Sequence, residues 1–277
     1  MTAFPRTVVG GVSLPRLIIG SNWFLGWSHT SAAKDKFIKG YHDRDSVAEI
    51  LTTFLEYGVD AVMAPMSDQL EEAVQEAEQR SGQGIIRVLT PHFNILADGP
   101  PESEPEVVFD RAKALNATFC MPHQSMTDAL IDRMYHRIRD IDIYTKMIRD
   151  RGMIPGLSTH MPEAIPYADQ TGADVETYIQ LYNAAGFLLQ VEADWVMRII
   201  QNAKKPVMTI KPLAAGRLLP VVGLAFVWST IRECDMVTIG TTTPAEAREV
   251  IEISLDLLER RMPEYELQRT RSKSSLS

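Results

Sequence analysis

The sequence predicts a (β/α)₈ barrel, the TIM-barrel architecture. Three observations carry that prediction. Apolar runs of strand length alternate with helical patterns from end to end, and this alternation implies parallel βαβ units. Eight strand–helix pairs fit within the 277 residues, a size at which α/β barrels form one domain. No linker or shift in composition divides the chain, so 1–277 reads as a single domain.

The opening RTVVGGVSL reads as a β-hairpin with Gly10-Gly11 at the turn, because two-residue hairpin turns need positive φ at their centre. RLIIG, residues 16–20, is the first buried strand. Val47, Ile50, Leu51, Phe54 and Leu55 recur at helical spacing, and Gly58 ends that helix. VDAVMAP is the second strand, and SDQLEEAVQEAEQRSG is a helix with Ser67 as its cap. IIRVLTP, the helix EPEVVFDRAKALN and ATFCMP follow. Residues 126–151 alternate charges at helical spacing and are expected as one long helix. MIPGLST is the fifth strand, PEAIPYADQTG a helix and VETYIQLYN the sixth strand. The helix VEADWVMRIIQNA, the strand PVMTIKP and the helix PVVGLAFVWSTIREC come next. DMVTIGT is the eighth strand and PAEAREVIEISLDLLERR the last helix. The polar segment 268–277 is expected to fray.

Lys and Arg number 28 against 36 Asp and Glu, a net charge of −8. An acidic chain argues against nucleic acid or an anionic membrane as partner. No apolar run approaches the ~20 residues of a membrane span, and the start has no signal-peptide pattern. Cys120 and Cys234 both lie in apolar runs and read as free thiols. The expectation is a cytoplasmic protein acting on a small molecule. The charge-alternating region near 126–151 would also suit a contact between copies, which leaves a homo-oligomer open.

In such barrels chemistry sits at the C-terminal ends of the strands. Those ends carry Asn22, Asp68, His92, His123, Gln124, Ser158, His160, Gln180, Tyr182 and Lys211. His92, His123 and His160 end three neighbouring strands, which run about 4.8 Å apart. With Asp68 they form a donor set suited to a divalent zinc, iron, manganese or nickel ion. Such a metal would polarise a carbonyl or activate water. Without it, His123, His92, Asp68 and Lys211 could act as general acids and bases. Schiff-base chemistry at Lys211 requires a desolvated amine.

The connection 21–44 is far longer than the usual 2–6 residues of a βα loop. It reads as a lid over the mouth. Its GSNWFLGWSHT stretch supplies Asn22, Trp23, Trp27 and His29 as substrate contacts. With Gln124 and Tyr182 these would suit a sugar-like or keto-acid-like skeleton, whose C–H faces stack on aromatic rings.

The segment GLSTHMPEAIPYADQTGADVETYIQLYN resembles the aldo-keto reductases, in which a G-x-S-N segment precedes a helix and a Q-x-x-Y-N strand. KPLAAGRL, IGTTTPAEAREVIE and the opening hairpin with RLIIGSNWF are similar to that family's loops and start. The resemblance covers most of the chain and is most specific over 153–255. It implies a barrel that binds NAD(P), with Ser158, Gln180 and Arg248 as cofactor contacts. The family's redox site uses Asp, Tyr, Lys and His. The corresponding positions here are Met63, Asp68, Thr90 and His123, and the Asn of G-x-S-N is Thr159. Without that Tyr there is no carbonyl proton donor of the family type. The expected function is therefore non-redox proton transfer, elimination or hydrolysis, assisted by a divalent metal. One alternative is an NAD(P)-dependent oxidoreductase with a rearranged proton donor. The other is a catalytically inactive regulatory barrel.

Overall fold

A computed structural model describes residues 3–96, 99–265, 267, 270 and 272–273. The hairpin is β1 (Arg6–Val9) and β2 (Val12–Pro15). Gly10 and Gly11 at its turn have φ of +54° and +83°, as a two-residue turn of this type demands. Next come β3 (Leu17–Gly20), α1 (Ala32–Tyr41), α2 (Arg44–Glu56), β4 (Ala61–Ala64) and α3 (Asp68–Ser81). β5 (Ile86–Leu89), α4 (Pro105–Ala114), β6 (Ala117–Cys120) and α5 (Gln124–Ala129) follow. A small hairpin, β7 (Ile131–Asp132) and β8 (Arg137–Ile138), leads to α6 (Ile141–Asp150), β9 (Ile154–Pro155) and β10 (Leu157–Thr159). The remainder is α7 (Ala164–Thr171), β11 (Tyr178–Leu181), α8 (Ala193–Asn202), β12 (Val207–Ile210), α9 (Pro220–Thr230), β13 (Met236–Ile239) and α10 (Pro244–Leu258).

The parallel sheet runs β10-β11-β12-β13-β3-β4-β5-β6-β9. Its two ends, β9 and β10, are consecutive in the chain on either side of Gly156. They are one split fifth strand, so the eight-stranded barrel closes. A Cβ on Gly156 would lie 2.6 Å from Met121 Cε and 2.8 Å from the Thr177 carbonyl oxygen, which is why glycine stands at the break. Alternation along the strands separates two cores. Ile18, Met63, Val88, Phe119, Ile179, Met208 and Met236 fill the lumen. Leu17, Ile19, Val62, Leu89, Tyr178 and Val237 face the helices. Val9 and Leu14 of the hairpin pack with the lumen set and close its lower end. Half-buried ion pairs from Arg87 on β5 to Glu71 (2.9 Å) and Glu78 (2.6 Å) tie strand to α3.

Two expectations differ from the structure. Residues 126–151 are not one helix. The chain leaves α5 through the β7–β8 hairpin, where Asp132 accepts the N–H groups of Met134 and Tyr135 and His136 has φ of +50°. Local side-chain-to-backbone bonding of this kind competes with helix. The connection 21–44 is not all loop, because it contains α1, capped by Ser31. Most of 268–277, the segment expected to fray, lies outside the described residues. Both cysteines are free thiols, Cys120 buried and Cys234 half-buried. Among the described residues no helix is long and apolar enough to cross a membrane.

Candidate active site

The strands end in a cavity of about 790 Å³. The connection after β3 provides Ser21, Asn22, Trp23, Trp27, His29 and Lys34 to its wall. Phe24, between the tryptophans, is instead buried in the helix-facing core. The aromatic run thus divides its work: Phe24 anchors the connection and Trp23 and Trp27 line the space. Trp23 lies over β13's end, where a Cβ on Gly240 would come within 2.7 Å of its Cδ1. Met63 and Thr90 also line the cavity, so an apolar side chain and a hydroxyl stand at two of the family's charged positions.

One end of the cavity is basic. His123 is the N-cap of α5, and its Nδ1 accepts the Ser125 backbone N–H at 3.3 Å, with the Ser125 hydroxyl 2.7 Å away. Accepting at Nδ1 assigns the proton of the neutral ring to Nε2. Burial, then the His92 and Lys211 charges, lower the His123 pKa. His160 follows β10, its backbone N–H held by Asp128 at 3.1 Å. Burial first, with Lys211, His123 and His29 adding to it, pushes His160 down to about 3. His29 is lowered by burial and by Lys211. Lys211 follows β12 with φ of +60°, and burial alone pushes its ammonium down to about 8. No hydrogen bond or ion pair engages that ammonium among the described residues. Positive φ recurs at Ala214, Ala215 and Gly216 in the same loop; such strain clusters where structure over-determines the backbone.

The other end is acidic. Glu246 and Glu249 on α10 are the cavity's carboxylates, and neither contributes to the shifts of the basic group. Glu246 Oε2 accepts the Thr242 N–H at 2.6 Å and its hydroxyl at 2.8 Å. The buried hydroxyls of Thr238 and Thr241, which also line the cavity, have no hydrogen-bond partner among the described residues. Orphaned hydroxyls on a cavity wall suit a polar ligand.

Several residues named from sequence are not brought here. Asp68 is exposed and pairs with Arg111 at 3.1 Å, because it begins α3 rather than ending β4. His92 is exposed, its ring 6.2 Å from that of His123 and outside the cavity lining. Tyr182 turns outward, donating to Thr230 at 2.9 Å, and Gln180 turns outward too, donating to the Leu181 carbonyl. Gln180 on β11 and Tyr182 just past its end are even-numbered, whereas the odd-numbered Ile179 faces the lumen. Thr159 points away, donating to Asp128 at 2.5 Å. The expected metal centre is therefore not assembled: no group of three or more His, Cys, Asp and Glu side chains could hold an ion among the described residues. Asn22, Trp23, Trp27, His29, Gln124, His123, His160, Ser158 and Lys211 do line the cavity. Lys34, Glu246 and Glu249 were not legible as site residues. The only sequence signal was their place, in the lid and in the first turns after the eighth strand.

The cofactor contacts implied by the resemblance fare similarly. Ser158 faces the cavity, Gln180 does not, and Arg248 points to Glu56 at 3.6 Å. With Glu246 and Glu249 at that end, a dinucleotide carrying a 2′-phosphate does not fit the residues present, since like charges repel in a semi-enclosed site.

No family model matches this sequence, and no curated protein matches it. Solved structures do. A Pseudomonas aeruginosa protein assigned to the aldo-keto reductases superposes with a TM-score of 0.65 at 14% identity, over 91% of this chain and 95% of that one. An aldose reductase from Giardia lamblia gives 0.56 at 13% identity, over 95% and 90%. A thiamine phosphate pyrophosphorylase from Pyrococcus furiosus gives 0.51 at 13% identity, over 87% and 96%. At such identities the likeness is one of architecture, and barrels of one architecture host unrelated chemistries. The fold of this chain is the (β/α)₈ barrel of the aldo-keto reductases, with the N-terminal hairpin in place.

Proposed function

We propose that this chain is a divergent aldo-keto-reductase-type barrel enzyme performing non-redox acid–base chemistry on a small anionic carbonyl compound, of keto-acid or sugar-acid type. The observation that carries the reading is the basic end of the cavity. His29, His123, His160 and Lys211 converge, with Asp35 near His29 the one carboxylate that acts on them, in a chain whose net charge is −8. A local positive field in an acidic protein concentrates anions at that spot. Trp23 and Trp27 offer flat apolar walls to the carbon skeleton. The Nε2–H of His123 can donate to a carbonyl oxygen and stabilise the enolate that forms. An amine with a pKa of about 8 can take a proton from the neighbouring carbon near neutral pH. His160, pushed to about 3, is too weak a base for that step and serves as a neutral hydrogen-bonding group.

The test is deuterium incorporation at the carbon next to the carbonyl of pyruvate, 2-oxobutyrate and 2-oxoglutarate, followed by proton NMR without added dinucleotide. Exchange above the buffer rate, lost in His123→Ala, supports the reading; exchange indifferent to that substitution refutes it.

A second reading keeps redox chemistry. Glu246 and Glu249 could accept hydrogen bonds from an unphosphorylated ribose, as acidic residues do in NAD sites. Such a cofactor would supply hydride, and His123 would donate the proton. Saturable binding of NADH with none of NADPH, by quenching of tryptophan fluorescence, would favour it.

A further inference from the structure

We propose that Lys211 is a covalent catalyst that forms an imine with the carbonyl carbon of the substrate. This deepens the acid–base reading above and rests on it. Three structural facts converge on the residue. Lys211 follows β12 directly and opens into the cavity at its basic end. Its amine is engaged by no acceptor among the described residues, which leaves the lone pair of the neutral form unencumbered. Its backbone is held at φ +60°, in a loop where Ala214 and Ala215 are also left-handed. Such a backbone persists only where the surrounding structure over-determines it.

The chemistry balances without an oxidant or reductant. The neutral amine adds to the carbonyl carbon, forming a C–N bond. The Nε2–H of His123 protonates the former carbonyl oxygen, and the ring regains a proton from the nitrogen. The nitrogen's second proton leaves with the hydroxyl as water, and a C=N bond remains. Protonated, that imine draws electrons from the adjacent carbon, so its C–H bond can break with the proton passing to solvent water. Regaining water restores the amine. The basic end of the cavity draws in an anionic substrate, and burial disfavours the charged, unreactive ammonium.

Reductive trapping tests this. The full chain is incubated at pH 7.5 with pyruvate, glyoxylate or glyceraldehyde and sodium cyanoborohydride, and read by intact mass and peptide mapping. The free-amine fraction of a lysine at about 8 exceeds that of an ordinary lysine roughly 100-fold. One adduct at Lys211, formed roughly 100-fold faster than at Lys36 or Lys39 and absent in Lys211→Arg, is the expected result. Lys211→Met serves as a second variant if Lys211→Arg fails to fold. Adducts spread over surface lysines, or none with any probe, overturn the proposal. Deuterium exchange separates this from the broader reading. Exchange that survives in Lys211→Arg but is lost in His123→Ala removes the imine and Lys211 as the base, and leaves the His123 part of the broader reading standing. Trapping at Lys211 without exchange keeps the imine and removes proton abstraction as the reaction.

Discussion

Replacing Lys211 by methionine should stabilise the fold, and by an amount that depends on pH. Burial lowers this ammonium from 10.5 to about 8. Each tenfold change in proton affinity is worth about 1.4 kcal/mol, so holding the charge in place costs about 3 kcal/mol at pH 7. An unfolded lysine takes its proton near 10.5 and the folded one near 8. Between those values the unfolded chain binds more protons, so this residue makes stability rise with pH. The cost is complete below pH 8 and gone above 10.5. Methionine keeps the stem and removes the charge. Lys211→Met should therefore gain about 3 kcal/mol at pH 7, seen as a melting temperature higher by roughly 6 °C. At pH 10 the gain should shrink below about 1 kcal/mol. Urea unfolding at both pH values measures this. A variant no more stable than wild type at pH 7, or a gain equal at both pH values, would refute the claim that Lys211 is desolvated and would take the imine argument with it.

Other perturbations follow from the same geometry. His160 is held at about 3, so its ring signals should not move between pH 8 and 5 in an NMR titration. Its depressed value means it withdraws stability as pH falls from 6.5 toward 3, which acid unfolding of His160→Gln would show as a later transition. Gly240→Ala sets a Cβ 2.7 Å from Trp23 Cδ1 and 3.2 Å from the Gly20 carbonyl oxygen. It should cost about 1–3 kcal/mol and shift tryptophan emission as the lid lifts. Arg87→Met strands Glu71 and Glu78 beneath α3 and should cost about 3 kcal/mol in equilibrium unfolding. Burial raises the Cys120 thiol far above its usual range and Cys234 above its own. Native protein should thus react slowly with a thiol reagent at Cys234 and not at Cys120 until unfolded.

The barrel was legible because it is written in periodicity. Ile18, Val88, Ile179 and Met236 alternate with helix-facing neighbours, and that pattern survives without any relative. The one long misreading, 126–151, came from a charge pattern that helix and hairpin both satisfy; the Asp132 turn decides it through bonds of a single residue. The site was legible only to the strand end. Periodicity says that His123, Ser158 and Lys211 stand at the mouth, and they do. It does not fix which side of the wall a terminal residue takes once the strand stops. Gln180 and Tyr182 sit one step out of phase with the lumen. Asp68 falls four residues past β4 and belongs to the next helix. The expected metal set lost Asp68 and His92 because both are exposed outside the cavity lining.

The departures from the reductase pattern and the unusual lysine have one electrostatic origin. A carboxylate at the end of β4 would share the cavity with Lys211, and a neighbouring opposite charge holds an ammonium protonated. Met63 stands there instead, and Thr90 places no charge at the end of β5. At the inner end of the cavity Lys211 depresses His29, His123 and His160, while burial lowers Lys211 itself. Such a set is costly while the protein is alone, because every proton it binds opposes the next. An anion entering the cavity reverses that cost, since its charge is the counter-ion the fold does not provide. The protein pays for this poise in stability, which is the relation expected where function and folding compete for one site. An anionic ligand entering this cavity would meet a buried amine whose pKa burial has lowered to about 8.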